Sequence, residues 1–368
     1  MLNSRVSSVD VTNKVILGFS GGVDSTAAAL LLQEKGYDVI GVYLDTLDIS
    51  AAEKQENINN AIRIADEIGI ELRILNIASE FNEIVIKNFC EKYASGATPN
   101  PCIICNPHVK FNSLYKISLE ENAYIATGHY AQITKIIGRY YIKRGANGKK
   151  DQSYVLYRLP QCILERLIFP LGEIEDKDVM RDMLKKRELS NYNKKDSQEI
   201  CFMDDAEDRA SFLLRNGYPI QPGNFIDACG KPCGYHKGIS EYTIGQRKGL
   251  GISFGYPVFV TEIDPVKNTV KLDSECNLFK SKAICGNAYF PLSDSSKIPM
   301  NLKGEIVNLK GKIRYAAAPA DVICIDEMDE KHIKITFAVP QRALTPGQSI
   351  VLYIDDIIVG GAIIEESA

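Results

Sequence analysis

Over its first 130 residues the chain alternates short apolar runs with segments of helical period. Val15–Phe19 is a compact apolar run and predicts a strand; Ser25–Lys35 is rich in Ala and Leu, has Gly36 just beyond it, and predicts a helix. Asp38–Leu44 and Glu71–Ile77 predict two more strands, Ala52–Ile68 a helix stopped by Gly69, Phe81–Tyr93 a further helix and Tyr124–Thr127 a fourth strand. Strand and helix in turn predict an α/β doubly wound parallel sheet, which binds ligands at the carboxyl ends of its strands. Gln161–Phe169 and Lys177–Leu189 read as two later helices. Farther on, Gly and Pro punctuate short β-type runs: Val258–Ile263, Thr269–Leu272, Ile333–Phe337 and Ile350–Tyr353. The pattern predicts an α/β domain over residues 1–205, a small linking domain over 206–275 and a C-terminal β-barrel over 276–368.

Composition changes this picture little. The 368 residues are 45% hydrophobic and 24% charged, enough apolar material for packed cores and too much for a disordered chain. No apolar run approaches the roughly 20 residues of a membrane span, and Met1–Thr12 lacks the apolar core of a signal peptide, so a cytoplasmic protein is expected. The net charge of −4 excludes a basic surface overall. Any contact with nucleic acid then falls to local clusters, Lys143-Arg144 with Lys149-Lys150, Lys185-Lys186-Arg187, Lys194-Lys195 and Arg247-Lys248. Each cluster by itself reads as solvated surface.

The chemistry begins where the first strand ends. Gly18-Phe-Ser-Gly-Gly-Val-Asp-Ser25 joins that strand to the following helix. Gly21 and Gly22 permit a tight turn that brings backbone N–H groups close to an anion, and the helix adds the positive end of its dipole. Ser20 and Ser25 supply hydroxyl donors, while Asp24 would repel a bare phosphate and suits a loop that also receives Mg²⁺. No Lys follows the glycines, which separates this loop from the ordinary NTPase P-loop, and the glycine spacing is not that of a dinucleotide fold. The bland reading is a plain strand-to-helix turn.

Ten cysteines in a chain without a secretory signal read as thiols, reactive sulfur or metal ligands. Thr98-Pro-Asn-Pro-Cys-Ile-Ile-Cys-Asn106 holds Cys102 and Cys105 three apart in a segment stiffened by Pro99 and Pro101. Such spacing permits zinc, a redox couple, iron–sulfur ligation or coincidence. A zinc site wants a second matching pair, and Cys229 and Cys233 are placed in what reads as a hairpin tip.

Several long motifs in order give this chain its resemblance. The glycine loop, Thr98-Pro-Asn-Pro with Cys105-Asn106 and Lys110-Phe111, Ala126-Thr-Gly-His-Tyr130, Asp151-Gln-Ser-Tyr154, Phe169-Pro-Leu-Gly172, Lys195-Asp-Ser with Ile200-Cys-Phe202, Thr243–Gly251, Arg314-Tyr315 and Leu344–Gln348 span nearly the whole length. Together they resemble the tRNA-specific 2-thiouridylase family, within the N-type ATP pyrophosphatases. That resemblance implies ATP-dependent 2-thiolation of the wobble uridine, position 34, in tRNAs of the Glu, Gln and Lys type, with sulfur from a persulfide donor such as a cysteine desulfurase or relay protein. It implies Cys105 and Cys201 as catalytic residues, which can end in a disulfide. It further implies an ATP site at Gly18, Phe19, Ser20, Gly21, Gly22, Val23, Asp24, Ser25, Leu44 and Gly128, with Asp24 near Mg²⁺. Asn100, Pro101 and Cys102 would face the target base; His129, Asp151, Gln152, Ser153, Arg314, Tyr315 and Gln348 would contact tRNA.

The chain departs from the family pattern at three places. Cys102 stands where many members carry Asp, and a thiol whose ordinary pKa is roughly 8.5 does not replace a carboxylate at neutral pH; Cys102, Cys105 and Cys201 could instead ligate a [4Fe–4S] cluster. Asp45-Thr-Leu-Asp48 follows Leu44 where a Lys-Asn-Trp run is common, and the chain has no Trp. Ala97 and Ala316–Ala318 replace more polar groups. Two other functions stay open on sequence alone: another adenylating ligase or amidotransferase, which needs no paired cysteines, and a non-catalytic tRNA-binding or sulfur-carrier protein.

Overall fold

The computed structural model describes residues 12–46, 51–194, 200–203, 207–299, 302, 304–305 and 308–368. These fall into two compact units. One holds the described residues through Ser79 with 106–153 and 159–194; the other holds 80–105, 154–158 and the described residues from Ile200 onward.

The first unit is built on a five-stranded, wholly parallel sheet. Its strands are β1 (Lys14–Gly18), β2 (Asp38–Asp45), β3 (Glu71–Asn76), β4 (Tyr124–Thr127) and Leu167–Ile168, in the spatial order β3, β2, β1, β4 and Leu167–Ile168. Val15, Ile16 and Leu17 are completely buried, as a strand covered on both faces must be. Helix α1 (Val23–Glu34) packs with Ala27, Ala28, Ala29, Leu30 and Leu32 buried, and α2 (Ala51–Ile68) contributes Ile64 and Ala65 to the same core. The chain steps outward from β1 to β2 and β3 and returns on the other flank as β4. The switch point therefore lies between β1 and β4, where Gly18 and Thr127 end their strands side by side.

Two local features differ from the sequence expectation. Gln161–Phe169 is not one helix: Gln161–Leu164 is a single helical stretch and Leu167–Ile168 becomes an edge strand, because Arg166 C=O accepts the Ile125 N–H and completes the ladder of β4. An antiparallel hairpin, Ala131–Ile136 with Arg139–Arg144, follows β4 and was not legible. It turns at Ile137 and Gly138, both with positive φ, and a β-branched residue at such a position gives no turn signal.

The second unit contains two sheets and an aromatic cluster. Phe81 and Phe89 meet Phe202 at ring-centroid distances of 5.7 and 5.1 Å, and Phe212 lies 5.5 Å from Phe202. The expected helix over Phe81–Tyr93 is a π turn, Asn82–Ile86, continued by an α-helix, Lys87–Ala94. A four-stranded sheet of Phe259–Asp264, Thr269–Asp273, Gly223–Ile226 and Pro232–His236 surrounds Phe225, Val260, Val270 and Leu272. Phe279–Tyr289, His332–Arg342, Ala320–Glu327, Leu309–Lys312, Ser349–Ile354 and Ile357–Ser367 pair in that order, and the last pairs back with the first. The result is a closed six-stranded barrel filled by Ile325, Ile335, Phe337, Ile350 and Leu352.

Candidate active site

At the switch point the glycine loop takes the shape its residues predict. Gly21 has φ +67°, and a Cβ there would lie 2.9 Å from Ala61 Cα, so α2 packs directly on the loop. Helix α1 starts at Gly22 with no side chain capping it, leaving the first N–H groups of the helix for an anion. Ser25 Oγ donates to Gly22 C=O at 3.1 Å and accepts from Ser20 N–H at 3.3 Å, which closes the loop on itself. Gly128, just past β4, leaves room for this helix end: a Cβ would meet Asp24 C at 2.9 Å and Ser25 N at 3.1 Å. Phe19 and Val23 are buried in the core, so they can offer ATP only their backbone, while Leu44 and Gly18 are half-buried.

Asp24, expected near Mg²⁺, has partners within the protein. Lys177 Nζ donates to its Oδ2 at 2.9 Å and Tyr130 OH donates to its Oδ1 at 2.9 Å, so the carboxylate is neutralised by the protein. Lys177 is nearly buried and is the first residue of the helix Lys177–Lys186. A lysine at a helix N-terminus works against the dipole, and that misplacement was the one sequence signal that it has a partner. Asn191 adds a second tie, donating through Nδ2 to Gly21 C=O at 3.1 Å and to Thr26 Oγ1 at 2.8 Å. Neither Lys177, Tyr130 nor Asn191 was singled out from sequence.

His129 follows Gly128. Its Nδ1 lies 2.7 Å from Thr127 Oγ1, and its ring packs against Phe111 and Phe169 at 5.7 and 6.2 Å. Burial, and then the charge of Lys110, hold its pKa well below the ordinary histidine value, so the ring is neutral at physiological pH and offers no charge to a phosphate.

Asp151 and Ser153 turn inward. Asp151 Oδ1 accepts from Gly145 N–H and Ser153 N–H, both at 3.1 Å, and Oδ2 accepts from Arg144 Nε at 3.2 Å and Ser153 Oγ at 3.0 Å. Gln152 Oε1 accepts from Tyr130 N–H at 3.0 Å. With Asp151 and Ser153 buried, these two side chains shape a loop that also carries exposed Lys149 and half-exposed Arg144.

In the second unit the cysteine segment is a helix where a loop was expected. Pro101–Cys105 is α-helical, Pro101 occupies the first position, and Asn100 Oδ1 caps it by accepting the Cys102 N–H at 3.1 Å. Three residues apart on a helix, Cys102 and Cys105 share a face. Cys102 is exposed, Cys105 half-buried and Cys201 exposed, the last held by its neighbour Phe202 in the aromatic cluster. All ten cysteines stand outside any disulfide. Among the described residues no three His, Cys, Asp or Glu side chains gather as a metal-holding group. Cys229 lies in the turn of the expected hairpin and Cys233 in its second strand, Pro232–His236. Lys195, Asp196 and Ser197 lie outside the described residues.

The barrel residues are also engaged. Arg314 Nη2 donates to Arg342 C=O at 3.0 Å and Ala343 C=O at 2.8 Å. Tyr315 is 40% exposed, with Lys312 Nζ 5.5 Å from its ring centroid and the Tyr154 ring edge-on at 6.1 Å. Gln348 Nε2 donates to Thr98 C=O at 2.7 Å.

A parallel sheet with a glycine loop and an uncapped helix N-terminus at its switch point defines a nucleotide-binding α/β class. Residues 13–205 match the family described as tRNA methyl transferase HUP domain, 211–272 its PRC-barrel domain and 293–364 the aminomethyltransferase β-barrel domain. The chain is 44% identical to the tRNA-specific 2-thiouridylase MnmA of Clostridioides difficile (strain 630), over 97% of this chain and 99% of that one. It is 43% identical to the protein of the same name from Clostridium perfringens (strain 13 / Type A), over 96% and 98%. The chain belongs to the tRNA-specific 2-thiouridylase family. Among solved structures, the U34-tRNA thiolase NcsA from Methanococcus maripaludis with its [4Fe-4S] cluster has a TM-score of 0.35 at 22% identity, covering 56% of this chain and 64% of that one. No helix among the described residues is long and apolar enough to cross a membrane.

Proposed function

We propose that this protein is an ATP-dependent tRNA-uridine 2-sulfurtransferase that thiolates C2 of uridine 34 in tRNAs of the Glu, Gln and Lys type, in the cytoplasm. The observation that carries the reading is the uncapped N-terminus of α1 behind Gly21 and Gly22, in a chain that also exposes Cys102 and Cys201. The substrate is ATP as its magnesium complex. A uridine C2 carbonyl has no leaving group, so its oxygen attacks the α-phosphorus of ATP and pyrophosphate leaves into the loop, where helix N–H groups meet the departing charge. Lys177 stays paired with the Asp24 carboxylate while this happens.

Sulfur arrives as a persulfide on Cys201, from a desulfurase or relay donor. The Cys105 thiolate attacks Cys201 Sγ; the Cys201–Sγ to outer-sulfur bond breaks, hydrosulfide leaves, and Cys105 and Cys201 are joined as a disulfide. Hydrosulfide adds to C2, the C2–O bond breaks with AMP as leaving group, and a dithiol reductant resets the cysteines. These steps use only the thiols of Cys105 and Cys201, ATP and the external sulfur donor and reductant.

The test is purified, iron- and sulfide-free protein with unmodified tRNA, ATP and a persulfide donor, followed by separate measurement of pyrophosphate release and 2-thiouridine. Wild type is expected to give both. Cys105→Ser and Cys201→Ser are expected to lose thiouridine; if both retain it, the sulfur assignment fails and an adenylating ligase becomes the better reading. Binding of tRNA without any pyrophosphate release would favour a non-catalytic relative.

A further inference from the structure

Thr98 opens the segment that carries Asn100, Pro101, Cys102 and Cys105, and every polar group of that residue is held. Its N–H donates to Pro346 C=O at 2.8 Å, its C=O accepts from Gln348 Nε2 at 2.7 Å, and its hydroxyl donates to Thr243 Oγ1 at 3.2 Å. Gly347 sits against it at φ +91°, where a Cβ would lie 2.9 Å from the N, C and O of Thr98. Three residues of the barrel turn, Pro346, Gly347 and Gln348, thus hold the Thr98 backbone, and only glycine allows the approach.

The grip is itself braced. Gly347 N–H donates to Ile364 C=O at 2.9 Å, Ile364 N–H to Gln348 C=O at 2.8 Å, and Gln348 N–H to Thr345 C=O at 3.1 Å. Arg314 Nη2 fastens the base of the turn through the Arg342 and Ala343 carbonyls, where Ala343 itself has φ +58°. On the other side, Gly96 lies against Ile263, to which a Cβ would come within 2.7 Å, and the Thr243 N–H donates to Gln246 Oε1 at 3.1 Å. The cysteine segment is pinned at its entry by both β domains.

We propose that Gln348, with Gly347, is a positioning residue for the sulfur chemistry: it acts through Thr98 to fix the start of the Pro101–Cys105 helix, and so the direction of Cys102 and Cys105. This rests on the thiolase reading, and it gives Gln348 work inside the protein before any tRNA arrives. Between Thr98 and the Asn100 cap there is only Pro99, whose fixed φ transmits the orientation of the Thr98 peptide. Gln348 N–H groups satisfy a half-buried carbonyl; without them the peptide is free to rotate and the helix start loses its reference.

The experiment uses the full chain without tRNA and without ATP. Iodoacetamide labelling of each cysteine is followed by peptide mass spectrometry, with exposed Cys229 as rate reference and buried Cys285 as fold control. Gln348→Met keeps length and removes the donor; Gln348→Lys keeps a donor. Gln348→Met is expected to change labelling of Cys102 and Cys105 about threefold or more against Cys229, and to raise exchange of the Thr98 amide about tenfold. Gln348→Lys is expected to return both toward wild type. In turnover, Gln348→Met lowers kcat for thiolation with KM for tRNA nearly unchanged. Gly347→Ala is expected to act in the same direction; if it exposes Cys285, the Gln348 pair decides. Unchanged labelling and exchange in Gln348→Met, with tRNA affinity alone reduced, would overturn the proposal. Because labelling and exchange need no turnover, they decide the positioning role even if wild type forms no thiouridine, an outcome that would sink only the thiolase reading.

Discussion

Lys177 Nζ stands 2.9 Å from Asp24 Oδ2 at the mouth of the glycine loop, and the pair is mostly shielded from water, with Lys177 about one-tenth and Asp24 about one-third exposed. The loop proposed to receive the phosphates of ATP therefore carries its own acid already balanced. A carboxylate left unbalanced beside an arriving phosphate would repel it.

Lys177→Met is accordingly expected to cost on the order of 1–3 kcal/mol of stability by leaving Asp24 unpaired, and to raise KM for ATP about tenfold. The double variant Lys177→Met/Asp24→Asn is expected to recover part of both losses, since the unbalanced charge is gone. Pyrophosphate release against ATP concentration and urea denaturation of the single and double variants measure this coupling.

Asp151 is expected to be structural. It accepts from Arg144, Gly145 and Ser153 while almost fully buried, so Asp151→Ala leaves buried donors unmet and should cost roughly 2–4 kcal/mol. Lys149→Ala, on the exposed rim of the same loop, should leave the melting temperature within error and weaken tRNA binding in a salt-dependent way. Thermal denaturation and a salt titration of tRNA affinity separate the two.

His129 sets a pH dependence of stability. Its folded pKa lies well below the ordinary value of about 6.5, chiefly through burial. Above pH about 6.5 the ring is neutral folded and unfolded, and it contributes nothing to the slope. Below that pH the unfolded chain takes up a proton that the folded one refuses, so stability falls as pH drops from about 6.5 toward the folded pKa. His129→Gln should remove this part of the fall, as read by urea denaturation across that range. A ring that titrates in native protein near 6.5 by NMR would contradict the enclosure seen here.

The cysteines should sort by exposure and ionisation. Burial pushes the Cys90 thiol up to about 11 and raises that of Cys285 further. Brief alkylation of native protein at pH 8 is expected to label Cys102 and Cys201 and to spare Cys90 and Cys285. Labelling of Cys201 should abolish thiouridine formation while pyrophosphate release persists.

Strand β1, the glycine loop and α1 were readable along the chain because each depends on neighbours in sequence: apolar period, glycine freedom and a following helix. The Cys102–Cys105 spacing was equally plain, yet its helix was not, because Pro99 and Pro101 signal a stiff loop until Asn100 is seen to cap the turn. The hairpin after β4 escaped notice since Ile137 occupies a position that usually announces itself with glycine or asparagine.

What the sequence determined by itself was the order of strands and helices, the anion-binding loop and the identity of the thiols, all set by short-range geometry and chemical type. Which groups were already spent was decided only in three dimensions. Asp24 is 153 positions from Lys177, and Thr98 is 250 from Gln348. Charge balance and hydrogen-bond satisfaction act through space, so a carboxylate read from sequence as standing beside an anion-binding loop is also half of an ion pair. An amide that reads as a tRNA contact is found holding the entry to the cysteine helix.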